Sequence, residues 1–164
     1  MGGLGFNKMT DIKKIREHFK KHDSVVWPVV LRTDYGEWIK PIHSEQEFFV
    51  RIAKSIVSQQ LSVKAAATIN GRFLDLFPKR ELRPDLVLKK TEDELRAVGL
   101  SYAKARYVHD LAAKTLNKEI TYEKLHDMED EDVVGELTKI KGVGRWTAEM
   151  FLIFALGREN VIHI

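Results

Sequence analysis

The feature that most constrains this chain is a glycine-rich turn between two helical patterns, Lys141-Gly142-Val143-Gly144. One apolar helical pattern ends just before the turn, and a second begins directly after it. Two glycines separated by one residue let the backbone turn tightly and approach a partner closely. The amide groups around Gly142 and Gly144 then point outward at the positive end of the second helix, which suits a phosphate group. Such a contact positions a protein on a nucleic-acid backbone without reading the base sequence.

An ordinary pair of helices joined by a glycine-rich turn is the alternative interpretation. The glycine spacing, the apolar helices on both sides and the flanking cations Lys141 and Arg145 favour phosphate binding. Each cation alone, including Lys139, is as compatible with a solvated surface as with a phosphate contact. The net charge of +3 is compatible with nucleic acid, but on charge alone a mixed-charge solvated surface is favoured.

Length and composition are those of a single globular domain with a sizeable core. The chain has 164 residues, of which 44% are hydrophobic. No apolar run approaches the roughly 18 residues of a membrane span, and the first residues lack the zones of a signal peptide. Without cysteine, the chain can form neither a disulfide nor a cysteine-ligated iron–sulfur cluster. We therefore expect a cytoplasmic or nuclear protein that needs no cofactor and has no membrane partner.

Nearly every segment of the chain has the pattern of a helix. Apolar residues four apart form two adjacent rows between residues 48 and 61. Polar residues that cap helices mark five helix starts: Ser62, Thr91, Ser101, Thr121 and Asp130. We predict a compact all-α domain that contains a helix–hairpin–helix. Residues 1–44 would form an N-terminal helix and an extended segment, and residues 45–164 would form the core.

Three segments, in the right order, resemble one known family. They are Ile56-Val-Ser-Gln-Gln-Leu-Ser-Val-Lys-Ala-Ala66, Gly99-Leu-Ser-Tyr-Ala-Lys-Ala-Arg-Tyr-Val-His-Asp-Leu111 and Leu137-Thr-Lys-Ile-Lys-Gly-Val-Gly-Arg-Trp-Thr-Ala-Glu-Met-Phe-Leu152. The chain resembles the helix–hairpin–helix (HhH-GPD) DNA glycosylase superfamily. Within it, the chain is most similar to the alkylation-repair branch, the 3-methyladenine DNA glycosylase II family. The resemblance covers about residues 45–160.

This resemblance implies base-excision repair of double-stranded DNA that contains damaged bases. Such an enzyme bends the duplex, flips one nucleotide out and hydrolyses its N-glycosidic bond. An alkylated purine is cationic, which makes it a better leaving group and attracts it to an aromatic face. The alternative function is a non-catalytic DNA-binding or damage-sensing protein with the same fold.

Trp146 decides which chemistry the resemblance implies. In lyase-type relatives, the position two residues after the second hairpin glycine carries a nucleophilic lysine. Tryptophan cannot form a Schiff base, so a monofunctional hydrolase is implied and β-lyase chemistry is disfavoured. Trp146 would instead line the pocket for the flipped base. From the residues alone, a core tryptophan on an amphipathic helix is an equal alternative.

A junction of two helices at Gln59, Gln60 and Leu61 provides a second candidate DNA contact. A side chain here can fill the gap that a flipped nucleotide leaves, as other DNA-bending proteins insert wedges. The resemblance to the family implies that Gln60 or Leu61 is this wedge. The alternative is a helix end with exposed amides and a core leucine.

No catalytic residue is assigned in this chain. In the family, the essential aspartate follows the second hairpin helix, and counting from Trp146 puts the equivalent position just beyond Ile164. Glu149 lies one turn after Trp146, but a surface or hydrogen-bonding role is favoured for it. His18 and His22 have a spacing found in metal ligands, yet a solvated face is favoured and no metal site is expected.

The 164-residue chain is accordingly expected to release little base from alkylated DNA, because the carboxylate that supports cleavage at the sugar is missing. Three explanations are open: a truncated gene product, a fragment, or a short protein that binds DNA without cutting it. A base-release assay on alkylated duplex checks the expectation, and robust turnover would refute it.

Overall fold

Two units divide the chain, Met1–Ile39 and Lys40–Ile164. The computed structural model describes residues 42–158 and 161 and, in the first unit, residues 17, 20–22 and 27–28. Those positions of the first unit are helical. The rest of the predicted N-terminal helix and extended segment lies outside the described residues. All the elements named below belong to the second unit.

Eight α-helices and one 3-10 turn make up the described part of the second unit, which contains no strand. The helices are α1 (Glu45–Ser58), α2 (Val63–Asp75), α3 (Pro84–Val87), α4 (Glu92–Ala97), α5 (Tyr102–Leu116), α6 (Tyr122–Asp127), α7 (Asp130–Leu137) and α8 (Arg145–Ala155). The 3-10 turn Pro78–Arg80 lies between α2 and α3. The prediction of an all-α fold is therefore confirmed. Across the described residues, no helix combines the length and apolar character that a membrane span requires.

The helix starts follow the predicted caps with one exception. Three caps accept a hydrogen bond from the amide three residues further on: Ser62, Ser101 and Thr121. Thr91 and Glu94 form a full capping box, in which each side chain bonds to the other residue's amide. The prediction for Asp130 is wrong by one residue, because Glu129 occupies the cap position and Asp130 begins the first turn.

Helix α1 lies at the centre of the core. Its predicted apolar rows are buried: Phe48, Phe49, Ile52, Ala53, Ile56 and Val57. The helix contacts α2, α5, α6 and α8. The rings of Phe48 and Phe151 meet edge to face with centroids 5.6 Å apart, which fixes α8 against α1. Leu61, the last member of the predicted rows, is only half-buried because α1 ends at Ser58.

Arg158 joins the ends of α6, α7 and α8. Its Nη1 donates to Asp130 Oδ1 at 2.5 Å, and its Nη2 donates to the carbonyl oxygens of Leu125 and Met128 at 3.2 and 2.6 Å. The side chain therefore satisfies carbonyls at the end of α6 and a carboxylate in the first turn of α7. A guanidinium suits this position because its donors form a planar fork.

Arg158→Lys should lower the free energy of unfolding by about 1–3 kcal/mol, because an ammonium group cannot reach the carboxylate and the carbonyls together. Arg83→Lys is the matched control. The Arg83 guanidinium pairs with Asp85 at 3.0 Å on the surface, where an ion pair contributes about 0–1 kcal/mol. Urea unfolding of both variants measures the difference, and equal losses would contradict a bridging role for Arg158.

Candidate nucleic-acid interface

The predicted helix–hairpin–helix is present, with α7 ending at Leu137 and α8 beginning at Arg145. Val143 N donates to Ile140 O at 3.0 Å and closes the turn. The side chains of Ile140 and Val143 are buried and anchor the turn to the core. The Val143 side chain is therefore not accessible to a phosphate, and its amide is already bonded within the turn, so phosphate binding by Val143 itself stays a prediction.

The amide groups of the hairpin are partly occupied and partly open. Lys141 N donates to Asp110 Oδ2 at 2.9 Å, so it is not available to a phosphate. Within the described residues, the amides of Gly142 and Gly144 have no acceptor. The first hydrogen bond of α8 runs from Ala148 N to Gly144 O at 3.0 Å, which leaves the amides of the first turn open. The positive end of α8 is thus accessible to an anion.

The two glycines of the turn have different roles. Gly142 has a φ of +82°, in the left-handed region that favours glycine. A Cβ atom at this position would also lie 2.1 Å from Cδ2 of Tyr107, far inside van der Waals contact. Gly144 has a φ of −92°, and a Cβ atom there would meet nothing within 4 Å. Gly142 therefore permits the close packing of Tyr107 against the turn. At Gly144, the space beside the backbone is open to a ligand.

Arg145 is held by two carboxylates. Its guanidinium donates to Glu131 at 2.9 and 2.6 Å and to Glu149 at 3.3 Å. The hydrogen bonds to Glu131, and then to Glu149, raise the pKa of Arg145 above its ordinary value. Glu149 thus has the hydrogen-bonding role that the sequence favoured. Arg145 can meet a phosphate only by exchanging a partner. Loss of the exposed ion pair with Glu131 costs little, whereas the Glu149 side chain is only 20% exposed.

The two lysines of the hairpin also have carboxylate neighbours. Lys141 Nζ lies 3.9 Å from Asp110 Oδ1, and Lys139 Nζ pairs with Glu136. Both lysine side chains are more than half exposed. Phosphate binding by Lys141 and Arg145 stays a prediction that these exposed positions allow.

Trp146, the second residue of α8, is 70% exposed. The alternative of a core tryptophan is therefore wrong, and the neighbouring Thr147 and Ala148 face the core instead. An exposed indole at the open end of the helix is available to stack on a base. The pocket role of Trp146 stays a prediction.

The turn between α1 and α2 lies beside the hairpin. Gln59 Nε2 donates to Gly142 O at 2.7 Å, which joins the two segments directly. Gln60 is exposed and has a φ of +57°, which is uncommon for a residue with a side chain. Leu61 is half-buried rather than a core residue. The wedge role of Gln60 or Leu61 stays a prediction.

Lys104 on α5 supports the α1–α2 turn, and sequence reasoning missed it. Its Nζ donates to Val57 O at 2.8 Å and to Gln59 O at 2.7 Å. Burial lowers the pKa of Lys104 below its ordinary value. The lysine thus occupies carbonyls at the end of α1 that the helix itself leaves unsatisfied.

The same side of α5 supports the hairpin through Tyr107 and Asp110. Tyr107 fills the space beneath Gly142, and Asp110 accepts from Lys141 N and from Lys114 Nζ. Burial raises the pKa of Asp110, but these hydrogen bonds outweigh it and hold the pKa below its ordinary value. One sequence signal could have indicated this support. Lys104, Tyr107 and Asp110 are polar residues spaced three apart within a segment that resembles the family.

No three His, Asp or Glu side chains in the described part of the chain are grouped as metal ligands. His22 is exposed, and His18 lies outside the described residues.

Residues 53–161 of the sequence match the family described as HhH-GPD superfamily base excision DNA repair protein. The chain belongs to this superfamily. The match begins within α1 and extends past the end of α8, and it includes the two segments that meet at Gln59 and Gly142. The resemblance found in the three sequence segments is therefore confirmed.

Relatives of this HhH-GPD chain have names that refer to glycosylases. The alkylbase DNA glycosidase-like protein mag2 of Schizosaccharomyces pombe is 31% identical over 163 residues, which cover 95% of this chain and 74% of the relative. A DNA-3-methyladenine glycosylase of Saccharomyces cerevisiae is 31% identical over 156 residues, which cover 88% of this chain. The chain spans 53% of that yeast protein's length.

Solved structures have the same fold. The Schizosaccharomyces pombe 3-methyladenine DNA glycosylase Mag1, in complex with abasic DNA, superposes with a TM-score of 0.73 at 30% identity, covering 91% of this chain and 73% of that one. A DNA-3-methyladenine glycosidase from Bacillus halodurans gives a TM-score of 0.71 at 30% identity, covering 94% of this chain and 69% of that one. The helix–hairpin–helix architecture is therefore shared with proteins that have these names.

Gly142→Ala should lower the free energy of unfolding by about 2–4 kcal/mol, because it combines a strained φ with a clash against Tyr107. Gly144→Ala is the control within the same turn and should change that free energy by less than about 0.5 kcal/mol. Urea unfolding monitored by circular dichroism compares the two variants. If Gly142→Ala were as stable as Gly144→Ala, the close packing of Tyr107 under the turn would be wrong.

Proposed function

We propose that this chain is the DNA-binding core of a monofunctional DNA glycosylase that releases alkylated purines of the 3-methyladenine type. The observation that carries the proposal is the exposed Trp146 at the open amide end of α8, in a member of the HhH-GPD superfamily. Relatives named as DNA-3-methyladenine glycosylases support the substrate class. The core comprises residues 45–164, and both α1–α8 and the family match lie within that segment.

The indole of Trp146 suits a cationic base for electrostatic reasons. The face of the ring carries negative potential, and its attraction for a cation is worth about 0.5–2 kcal/mol. Alkylation at a ring nitrogen makes the purine cationic and improves it as a leaving group. Because an indole cannot form a Schiff base, water rather than this side chain attacks the sugar.

The hairpin and the α1–α2 turn hold the duplex in different ways. The open amides of the hairpin, with Lys141 and Arg145, bind phosphates beside the lesion. Gln60 or Leu61 enters the space that the flipped nucleotide leaves. The partner is therefore double-stranded DNA, and the protein works where DNA is, in a prokaryotic cytoplasm or a nucleus.

A non-catalytic damage sensor with the same fold is the second candidate. Glu149, the carboxylate one turn from Trp146, is engaged by Arg145 at 3.3 Å, so it does not supply a free base. A sensor would bind damaged DNA selectively and release no base. Measurement of base release separates the two candidates.

Trp146→Ala, tested in the protein as its gene encodes it, should lower kcat/KM for 3-methyladenine release by about tenfold, because the attraction of the indole for the cationic base is lost. Trp146→Phe keeps an aromatic face and should lose much less. Chromatography of the bases released from methylated duplex measures the rates. Wild-type rates in Trp146→Ala would remove this side chain from the site, and no release by the wild-type protein would favour the sensor.

Glu131→Gln should raise the affinity of the 164-residue chain for undamaged duplex by about threefold, because Arg145 loses a partner that competes with phosphate. The slope of log affinity against log salt should steepen by up to about one. Glu123→Gln removes the same charge from α6 and controls for net charge. Fluorescence anisotropy across a salt series measures both quantities. A gain that survives in Glu131→Gln combined with Arg145→Ala would show that Arg145 does not contact phosphate.

A further inference from the structure

We propose that Gln59 is a positioning residue that keeps the α1–α2 turn at a defined distance from the hairpin. The wedge residue can then enter the base stack while the hairpin binds the flanking phosphates. The inference rests on the proposed function. It assigns Gln59 an effect on DNA that is exerted through Gln60 on one side and through Gly142 on the other.

The Gln59 side chain bridges two segments that lie 83 residues apart in the chain. Its Nε2 donates to Gly142 O at 2.7 Å in a partly buried position. The acceptor is the carbonyl of the glycine that forms the left-handed bend of the hairpin. The donor belongs to the residue directly before Gln60, the candidate wedge. One hydrogen bond therefore joins the segment that would bind phosphate to the segment that would enter the base stack.

The backbone of Gln59 is held independently of this bond. Lys104 Nζ binds the carbonyl oxygens of Val57 and Gln59 at 2.8 and 2.7 Å. With its backbone anchored at the end of α1, the Gln59 side chain has a defined reach toward the hairpin. The next residue, Gln60, has a left-handed backbone conformation with a φ of +57°.

The hairpin is also anchored to α5, because Asp110 accepts from Lys141 N at 2.9 Å. Removal of the Gln59 bond would leave both segments attached to α5 but without the hydrogen bond that joins them directly. Phosphate binding needs only the hairpin, whereas wedge insertion requires the turn to meet the base stack while the hairpin holds the flanking phosphates. Loss of the bond should therefore weaken the preference for damaged DNA and leave the affinity for undamaged DNA nearly unchanged.

Gln59→Met keeps the length of the side chain and removes the donor. Gln46→Met is the matched control, because Gln46 Nε2 donates to Leu82 O at 2.6 Å near the other end of the same helix. Fluorescence anisotropy of each 164-residue variant gives Kd for an undamaged duplex and for a duplex with an abasic-site analogue. A 2-aminopurine opposite that site reports unstacking. In Gln59→Met, we expect the preference for the abasic duplex and the fluorescence gain to fall about fivefold to tenfold, with Kd for undamaged duplex within about twofold of wild type.

Gln59→Glu adds a pH readout that a merely structural role would not produce. An ionised carboxylate only accepts hydrogen bonds and would face the Gly142 carbonyl unfavourably, whereas a protonated carboxyl can donate to it. The preference for the abasic duplex should therefore be low at about pH 7.5 and recover as the pH falls to about 4.5. The ratio of the two Kd values cancels the general effect of pH on DNA binding, and Gln46→Glu should show no recovery.

Two results would overturn the positioning role while leaving the proposed function intact: an unchanged preference in Gln59→Met, or an equal loss in Gln46→Met. A wild-type chain without preference for the abasic duplex would overturn the proposed function and this inference together. If Gln59→Met lowered the thermal midpoint, the pH dependence of Gln59→Glu would decide. Recovery at low pH would support the positioning role, and its absence would exclude it.

Discussion

One side of α5 supports both segments that face DNA in the proposed function. Lys104, Tyr107 and Asp110 follow one another at intervals of three residues, so they lie on one side of the helix. The ammonium group of Lys104 donates to two carbonyls at the end of α1. The ring of Tyr107 packs against Gly142 of the hairpin, and the carboxylate of Asp110 accepts a hydrogen bond from a hairpin amide. Two segments far apart in the sequence therefore share one support. Their relative placement therefore depends on this shared helix and on the hydrogen bond from Gln59 to Gly142 that joins the two segments.

Short-range interactions explain why most of the fold could be predicted. The capping box of Thr91 and Glu94 involves only close sequence neighbours, and it is present. The need for glycine at position 142 was visible for the same reason, since a left-handed bend is a local requirement. Asp130 marks the limit of such reasoning. Its carboxylate is engaged by Arg158, 28 residues away, and not by the amides of its own helix.

The hydrogen bonds of the site that sequence reasoning did not predict join residues that are distant in the chain. Gln59 binds Gly142 across 83 residues, and Asp110 binds Lys141 across 31. Helical periodicity carries no information about such pairs. Trp146 was ambiguous for a different reason, because a tryptophan in an apolar helix fits a core position and a surface position equally well. Its exposure depends on how α8 is rotated against α1, which tertiary contacts such as Phe48 with Phe151 determine.

The cations beside the hairpin are already engaged before any DNA arrives. Arg145 is bound by Glu131 and Glu149, and the hairpin lysines have carboxylate neighbours of their own. Phosphate binding at these side chains would exchange one anion for another, which yields less free energy than neutralising a free cation. The open amides at the start of α8 have no such competitor among the described residues, and their dipoles are fixed in place by the turn. In the proposed phosphate contact, the shape of the hairpin should therefore contribute more than its charge.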